Sequence, residues 1–132
     1  TIDLRHVASA RAPLEWPLQP AITRYPPRCV ALLPPGLYAA GSGFCSGSFE
    51  GRVAVHFQPQ PLKRAPATAA AADKWGEDFM FKCHRRLAAD GKPRIFAVNS
   101  VAFHPAKPHQ LATAGSDGEA LLWDLKGRIK VG

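Results

Sequence analysis

The stretch GSDGEALLWD, residues 115–124, decides how this chain is read. Asp117-Gly118 is a tight-turn pair, because glycine supplies the positive φ such a turn demands and aspartate caps its own backbone two residues on. The apolar Ala120, Leu121 and Leu122 then lead into Trp123-Asp124, a strand-length run. Immediately upstream, LATAG (111–115) completes a strand, turn, strand unit. Working outward, IFAVNSVAF (95–103) reads as one strand closed by His104-Pro105, FMFKC (79–83) as another, and the basic segment from His84 to Arg94 as a loop between them.

The earlier half of the chain repeats this order. RCVALL (28–33), GFCSGS (43–48) and RVAVHF (52–57) are strand-length runs, the last with Val53, Val55 and Phe57 alternating, and Glu50-Gly51 marks the turn between the second and third. Gly51 and Gly118 stand 67 residues apart. The Pro- and Ala-rich stretch 58–78 shows no apolar alternation and reads as an inserted surface loop. Without that insertion of about twenty residues the spacing approaches the ~40 to 45 residues of a four-stranded repeat unit.

Composition agrees with an all-β chain of one domain's size. Thirteen prolines and eleven glycines in 132 residues punctuate it too often for long helices, and 46% hydrophobic residues suffice for a core. No run reaches the ~18 apolar residues of a membrane helix, and residues 1–30 lack a secretory layout, so membrane insertion is not expected. Cys29, Cys45 and Cys83 are odd in number and form no CxxC pair, which reads as buried thiols rather than a disulfide frame or zinc cage. The net charge of +7 is spread as +4 over residues 1–66 and +3 over 67–132, favouring acidic partners without choosing among them.

GSDGEALLWD, with His84 placed 39 residues before Trp123, resembles the WD-repeat β-propellers, although Cys83 stands where that family carries glycine. The segments EGRVAVHF (50–57), FKCHR (81–85), AVNSVAFHP (97–105) and LATAGSDG (111–118) are similar to the subfamily that binds nucleoporin GLEBS motifs. Its two branches serve mRNA export and the mitotic checkpoint, and RCVA (28–31), the HF after RVAV and Ala97 favour the export branch. The resemblance implies an all-β, partial WD-repeat β-propeller of about two blades, a fragment of a seven-bladed ring of about 300 residues. The chain opens at Thr1 rather than Met, so either its start is processed or it is a piece of something longer, and the resemblance favours the second reading. Residues 1–27 would end a preceding blade, 28–83 would form one blade carrying the inserted loop, and 84–132 a second, truncated one.

For function the resemblance implies a non-enzymatic scaffold in nuclear mRNA export, without cofactor, that binds a nucleoporin GLEBS-type peptide and RNA or an acidic peptide. Its expected location is the nucleus and nuclear pore, with the cytoplasm as a second compartment. The alternative is a spindle-checkpoint scaffold holding GLEBS-like segments of checkpoint kinases at kinetochores. His84, Thr113, Asp117 and Trp123 would form the family's structural hydrogen-bonded tetrad. A basic and aromatic groove between blades would use Arg52, Phe81, Lys82, Trp123, Asp124, Arg128 and Lys130, while Leu125 stands where the family often carries a base. Lys82, Arg85, Arg86, Lys92 and Arg94 form a basic run that would converge on the same groove.

Catalytic readings fare worse. Cys83 and His84 are adjacent, so on a strand they point to opposite faces and make a poor nucleophile and base. His84, His104 and His109 have no ligand-like spacing for a metal.

Overall fold

The computed structural model describes residues 24–35, 37, 41–59 and 77–132. Two four-stranded antiparallel sheets carry the chain. The first runs in the order β1 (Pro27–Leu32), β2 (Gly41–Ser48), β3 (Arg52–Pro59) and β4 (Phe79–Lys82). A two-stranded hairpin of β5 (Arg85–Leu87) and β6 (Pro93–Ile95) follows. The second sheet then repeats the order of the first, with β7 (Val98–Phe103), β8 (Gln110–Gly115), β9 (Ala120–Asp124) and β10 (Ile129–Lys130). This is an all-β arrangement of two blade-like units, the architecture of a partial WD-repeat propeller.

The internal repeat is visible in backbone detail. The turns between the second and third strands hold Gly51 at φ 62° and Gly118 at φ 76°, values a side chain rarely adopts. Both first strands carry an irregularity at the same place, between Pro27 and Cys29 in β1 and between Val98 and Ser100 in β7.

Strand alternation puts Val53, Val55 and Phe57 on one face of the first sheet, in register with Gly47, Cys45 and Gly43 of β2 and with Phe81 and Phe79 of β4. That face packs on the second sheet, where Val98, Val101 and Leu111 join it in one core with Leu33, Leu37, Cys83 and Leu125. At Gly47 the first sheet comes close against Val98 of the second, since an added Cβ would lie 2.6 Å from Val98 Cγ1 and 2.7 Å from Cys29 Sγ of its own sheet. Each fully buried aliphatic side chain there contributes roughly 1.5–3 kcal/mol.

The outward faces are less covered. Val53, fully buried, has Ala120 as its repeat counterpart, which is exposed. Val101 is buried, whereas Val30, which holds the matching position in the first sheet, is 64% exposed. The two sheets therefore bury non-equivalent faces, the Val53 face of the first and the Val101 face of the second.

Several expectations need correction. The segment 84–94 is not a plain loop, since it contains β5 and the start of β6. The run 95–103 is not one strand: Ile95 ends the hairpin and the chain crosses to β7 through Phe96 and Ala97, where Phe96 N–H donates to His84 C=O at 3.0 Å and Ala97 C=O accepts from Ser116 N–H at 2.9 Å. Strand β3 continues to Pro59, two residues into the stretch read as an insertion. Residues 1–23 and 60–76, which hold most of the expected preceding-blade segment and of the inserted loop, lie outside the described residues.

Candidate functional site

The first cluster is a buried hydrogen-bond chain that ties the junction of β4 and β5 to β8, to the turn after it and to β9. His84 leaves β4 in the left-handed region at φ 49°, which turns its ring inward to 2% exposure. Its Nδ1 lies 2.9 Å from Asp117 Oδ1 and its Nε2 lies 2.9 Å from Thr113 Oγ1. Trp123 Nε1–H donates to the same hydroxyl at 3.0 Å. One ordering satisfies every group: the indole donates to Thr113, the Thr113 hydroxyl donates to Nε2, and Nδ1–H donates to the carboxylate. Burial alone would raise the Asp117 pKa, but the Glu119 N–H and the His84 ring outweigh it and hold the carboxyl below its usual value. Gly115 leaves room for this ring, since an added Cβ would stand 2.4 Å from His84 Nδ1.

Neighbouring arginines on β5 brace the turns of both sheets. Arg85 Nη2–H donates to Glu50 C=O at 2.9 Å in the first turn. Arg86 reaches the second turn, pairing with Glu119 at 2.6 Å and donating to Asp117 C=O at 3.2 Å. Their guanidinium groups are thus engaged at the turns and do not converge on a groove with Phe81 and Trp123, because the unrecognised hairpin aims them elsewhere.

The second cluster runs along the outer strands between the sheets. Phe81 of β4 meets Trp123 of β9 with ring centroids 4.8 Å apart and planes tilted by 47°. Phe79, two residues back on the same strand face, lies 6.5 Å from Phe81 and 6.3 Å from Phe57. The Arg128 guanidinium, reaching from the turn between β9 and β10, sits 4.4 Å over the Phe79 ring. Lys130 pairs with Trp123 in register across β10 and β9 and is exposed. Trp123 is half-buried, so its N–H serves the inner chain while its ring meets Phe81 in the outer strip.

The other expected groove residues are placed differently. Arg52 and Lys82 are direct cross-strand partners, on the face of the first sheet opposite to Phe81. Arg52 is occupied by Glu50 at 3.4 Å and by Met80 Sδ at 3.5 Å. Asp124 Oδ1 accepts from Gly127 N–H at 2.9 Å and so shapes the turn that carries Arg128 at φ 53°. Leu125 is 1% exposed and belongs to the core.

Sequence reasoning missed Phe79, although its i−2 spacing from Phe81 on one strand was a usable signal. It also missed the pairing of buried His56 with Asp78, at 3.2 Å, in which Asp78 additionally accepts the Phe57 N–H at 2.8 Å; no motif announces that contact.

The chemistry of these groups is that of binding and bracing. Burial pushes the Cys83 thiol up to about 12, leaving negligible thiolate at neutral pH. His104 Nδ1 accepts the Ala106 and Lys107 N–H groups, and His109 lies 3.7 Å from Asp124. Among the described residues no group of three or more His, Cys, Asp or Glu side chains is placed to hold a metal ion.

Comparison with known proteins gives this geometry a family. The mRNA export factor of Danio rerio is 39% identical over 108 residues, covering 79% of this chain and 25% of the relative. Those of Sus scrofa and Mus musculus are 40% identical over 108 residues with the same coverage. The chain is homologous to the mRNA export factors of the WD-repeat propeller family. No family profile matches it. This export-factor homologue spans about a quarter of the length of the curated relatives it matches. The relatives are named for transport and not for a catalysed reaction.

Proposed function

We propose that this export-factor homologue is a non-enzymatic scaffold of nuclear mRNA export, acting in the nucleus and at the nuclear envelope, and that its outer groove binds single-stranded RNA. The observation that carries the reading is the strip formed by Phe79, Phe81 and Trp123, with the Arg128 guanidinium over its first ring and exposed Lys130 beside its last. Aromatic faces flanked by cations suit a single strand, whose bases stack on Phe81 and Trp123 while its phosphates meet Arg128 and Lys130. An acidic peptide would use the same cations, and a nucleoporin GLEBS-type peptide is the second proposed ligand, resting on the resemblance of the strings quoted above. The relatives' names favour export over the checkpoint alternative.

The test is fluorescence anisotropy of a labelled ten-residue oligouridylate titrated with the full chain at several salt concentrations. Affinity should fall as salt rises, and Arg128→Ala with Lys130→Ala should weaken binding by about tenfold and flatten the salt dependence. Salt-insensitive binding, or an unchanged Kd in the double variant, would overturn the groove assignment.

A further inference from the structure

Resting on that reading, we infer that Phe79 is a positioning residue, whose ring holds the Arg128 guanidinium at the lip of the groove so that its charge meets a phosphate of the bound strand. Arg128 projects from a two-stranded turn with its backbone in the left-handed region, φ 53°. Among the described residues no carboxylate pairs with it, and its guanidinium rests over the Phe79 ring at 4.4 Å. A long arginine side chain without such a contact samples many rotamers, and each phosphate contact would have to overcome that entropy. Held over a ring face, the guanidinium spends none of its N–H groups on a protein acceptor among the described residues, and a planar guanidinium with free N–H groups can donate two hydrogen bonds to one phosphate.

The ring is itself well held. Phe79 stands opposite Val55 in the β3–β4 register and between the Phe57 and Phe81 rings, 6.3 and 6.5 Å away. The contact also joins the two sheets at their outer rim, since Phe79 belongs to β4 and Arg128 to the turn after β9. Asp124 completes the device from the other side by tying down Gly127, the residue before Arg128, at 2.9 Å.

The experiment compares wild type, Phe79→Leu, Phe79→Tyr, Arg128→Ala and the Phe79→Leu/Arg128→Ala double variant, all in the full chain, with the labelled ten-residue oligouridylate. Phe79→Leu should weaken binding about threefold, the worth of an exposed cation–π contact. It should also reduce the slope of log affinity against log salt by about 0.7, one phosphate contact on a single strand. Phe79→Tyr, which keeps a ring, should bind as wild type, and Phe79→Leu should add nothing in the Arg128→Ala background. Loss of the same factor in that background would make the ring a ligand contact in its own right and overturn the inference, as would wild-type affinity and slope in Phe79→Leu. If Arg128→Ala itself binds as wild type, the groove assignment falls as well; if it is weak while Phe79→Leu is normal, only the positioning role is lost. Should Phe79→Leu fail to fold, Arg128→Lys, which keeps the charge and loses the planar stack, must show the threefold loss, and wild-type binding by it would refute the role.

Discussion

Replacing Thr113 by valine removes one oxygen and almost no volume, yet that oxygen is the centre of the buried hydrogen-bond chain. The side chain is 1% exposed, and its hydroxyl engages His84 Nε2 at 2.9 Å and Trp123 Nε1 at 3.0 Å. In Thr113→Val the fully buried imidazole nitrogen loses its one partner among the described residues, and the indole N–H, on a half-buried ring, loses its own. A buried polar group left unpaired costs about 1–3 kcal/mol, so the pair should cost about 2–4 kcal/mol, the indole contributing the smaller share because water can reach it. Against a typical domain stability of about 5–15 kcal/mol this is a large loss. Urea unfolding followed by far-ultraviolet circular dichroism reads it directly: with a slope of about 1.5 kcal/mol per molar, the midpoint should drop by about 1.3–2.7 M at unchanged slope. Thr113→Ser keeps the hydroxyl and loses a methyl, so it should cost only about 1 kcal/mol. Equal losses in the two variants would show that packing, not the hydrogen-bond chain, stabilises this site, and a valine variant within about 0.5 kcal/mol of wild type would refute the reasoning outright.

Gly47→Ala tests the packing of the two sheets at this point: with Val98 Cγ1 and Cys29 Sγ 2.6 and 2.7 Å from the new methyl, the sheets must part, and the urea midpoint should fall by the equivalent of about 1–3 kcal/mol. The Asp117 carboxyl, held below its ordinary value when folded, contributes stability that is complete above its unfolded pKa of about 4 and is lost as pH falls through the lower folded value. Acid unfolding should therefore steepen below about pH 4 in wild type, and Asp117→Asn should be less stable at neutral pH and show a shallower acid dependence; parallel curves for the two proteins would contradict this linkage.

How far the chain could be read in advance depended on whether a feature was local. The Asp117-Gly118 turn, the 120–124 strand and the four members of the hydrogen-bond chain were nameable because their spacing follows from strand period, turn stereochemistry and resemblance to a known repeat. The β5–β6 hairpin was not. Its strands are three residues each, too short for alternation to register, and Arg86 faces Arg94 across the pair, a like-charge match that pattern reading counts against pairing. What offsets the repulsion is Glu119, which belongs to the second sheet's turn and pairs with Arg86 at 2.6 Å. Strand β10 is similarly silent, since Ile129 and Lys130 form a strand only because Asp124 and Trp123 stand beside them.

The groove divides in the same way. Phe81, Trp123, Arg128 and Lys130 were named from the sequence, and tertiary structure places them along one outer strip, whereas Arg52 and Lys82, equally basic, fall on the other face of their sheet. Composition, turn residues and strand period act through neighbours a few residues away, so the sequence by itself determined the all-β class, the repeat and the residue types available for binding. Which cations remain free to bind was decided only by the tertiary structure, because a guanidinium is captured by whichever carboxylate, carbonyl or ring the fold brings within about 4 Å, and those partners lie tens of residues away along the chain.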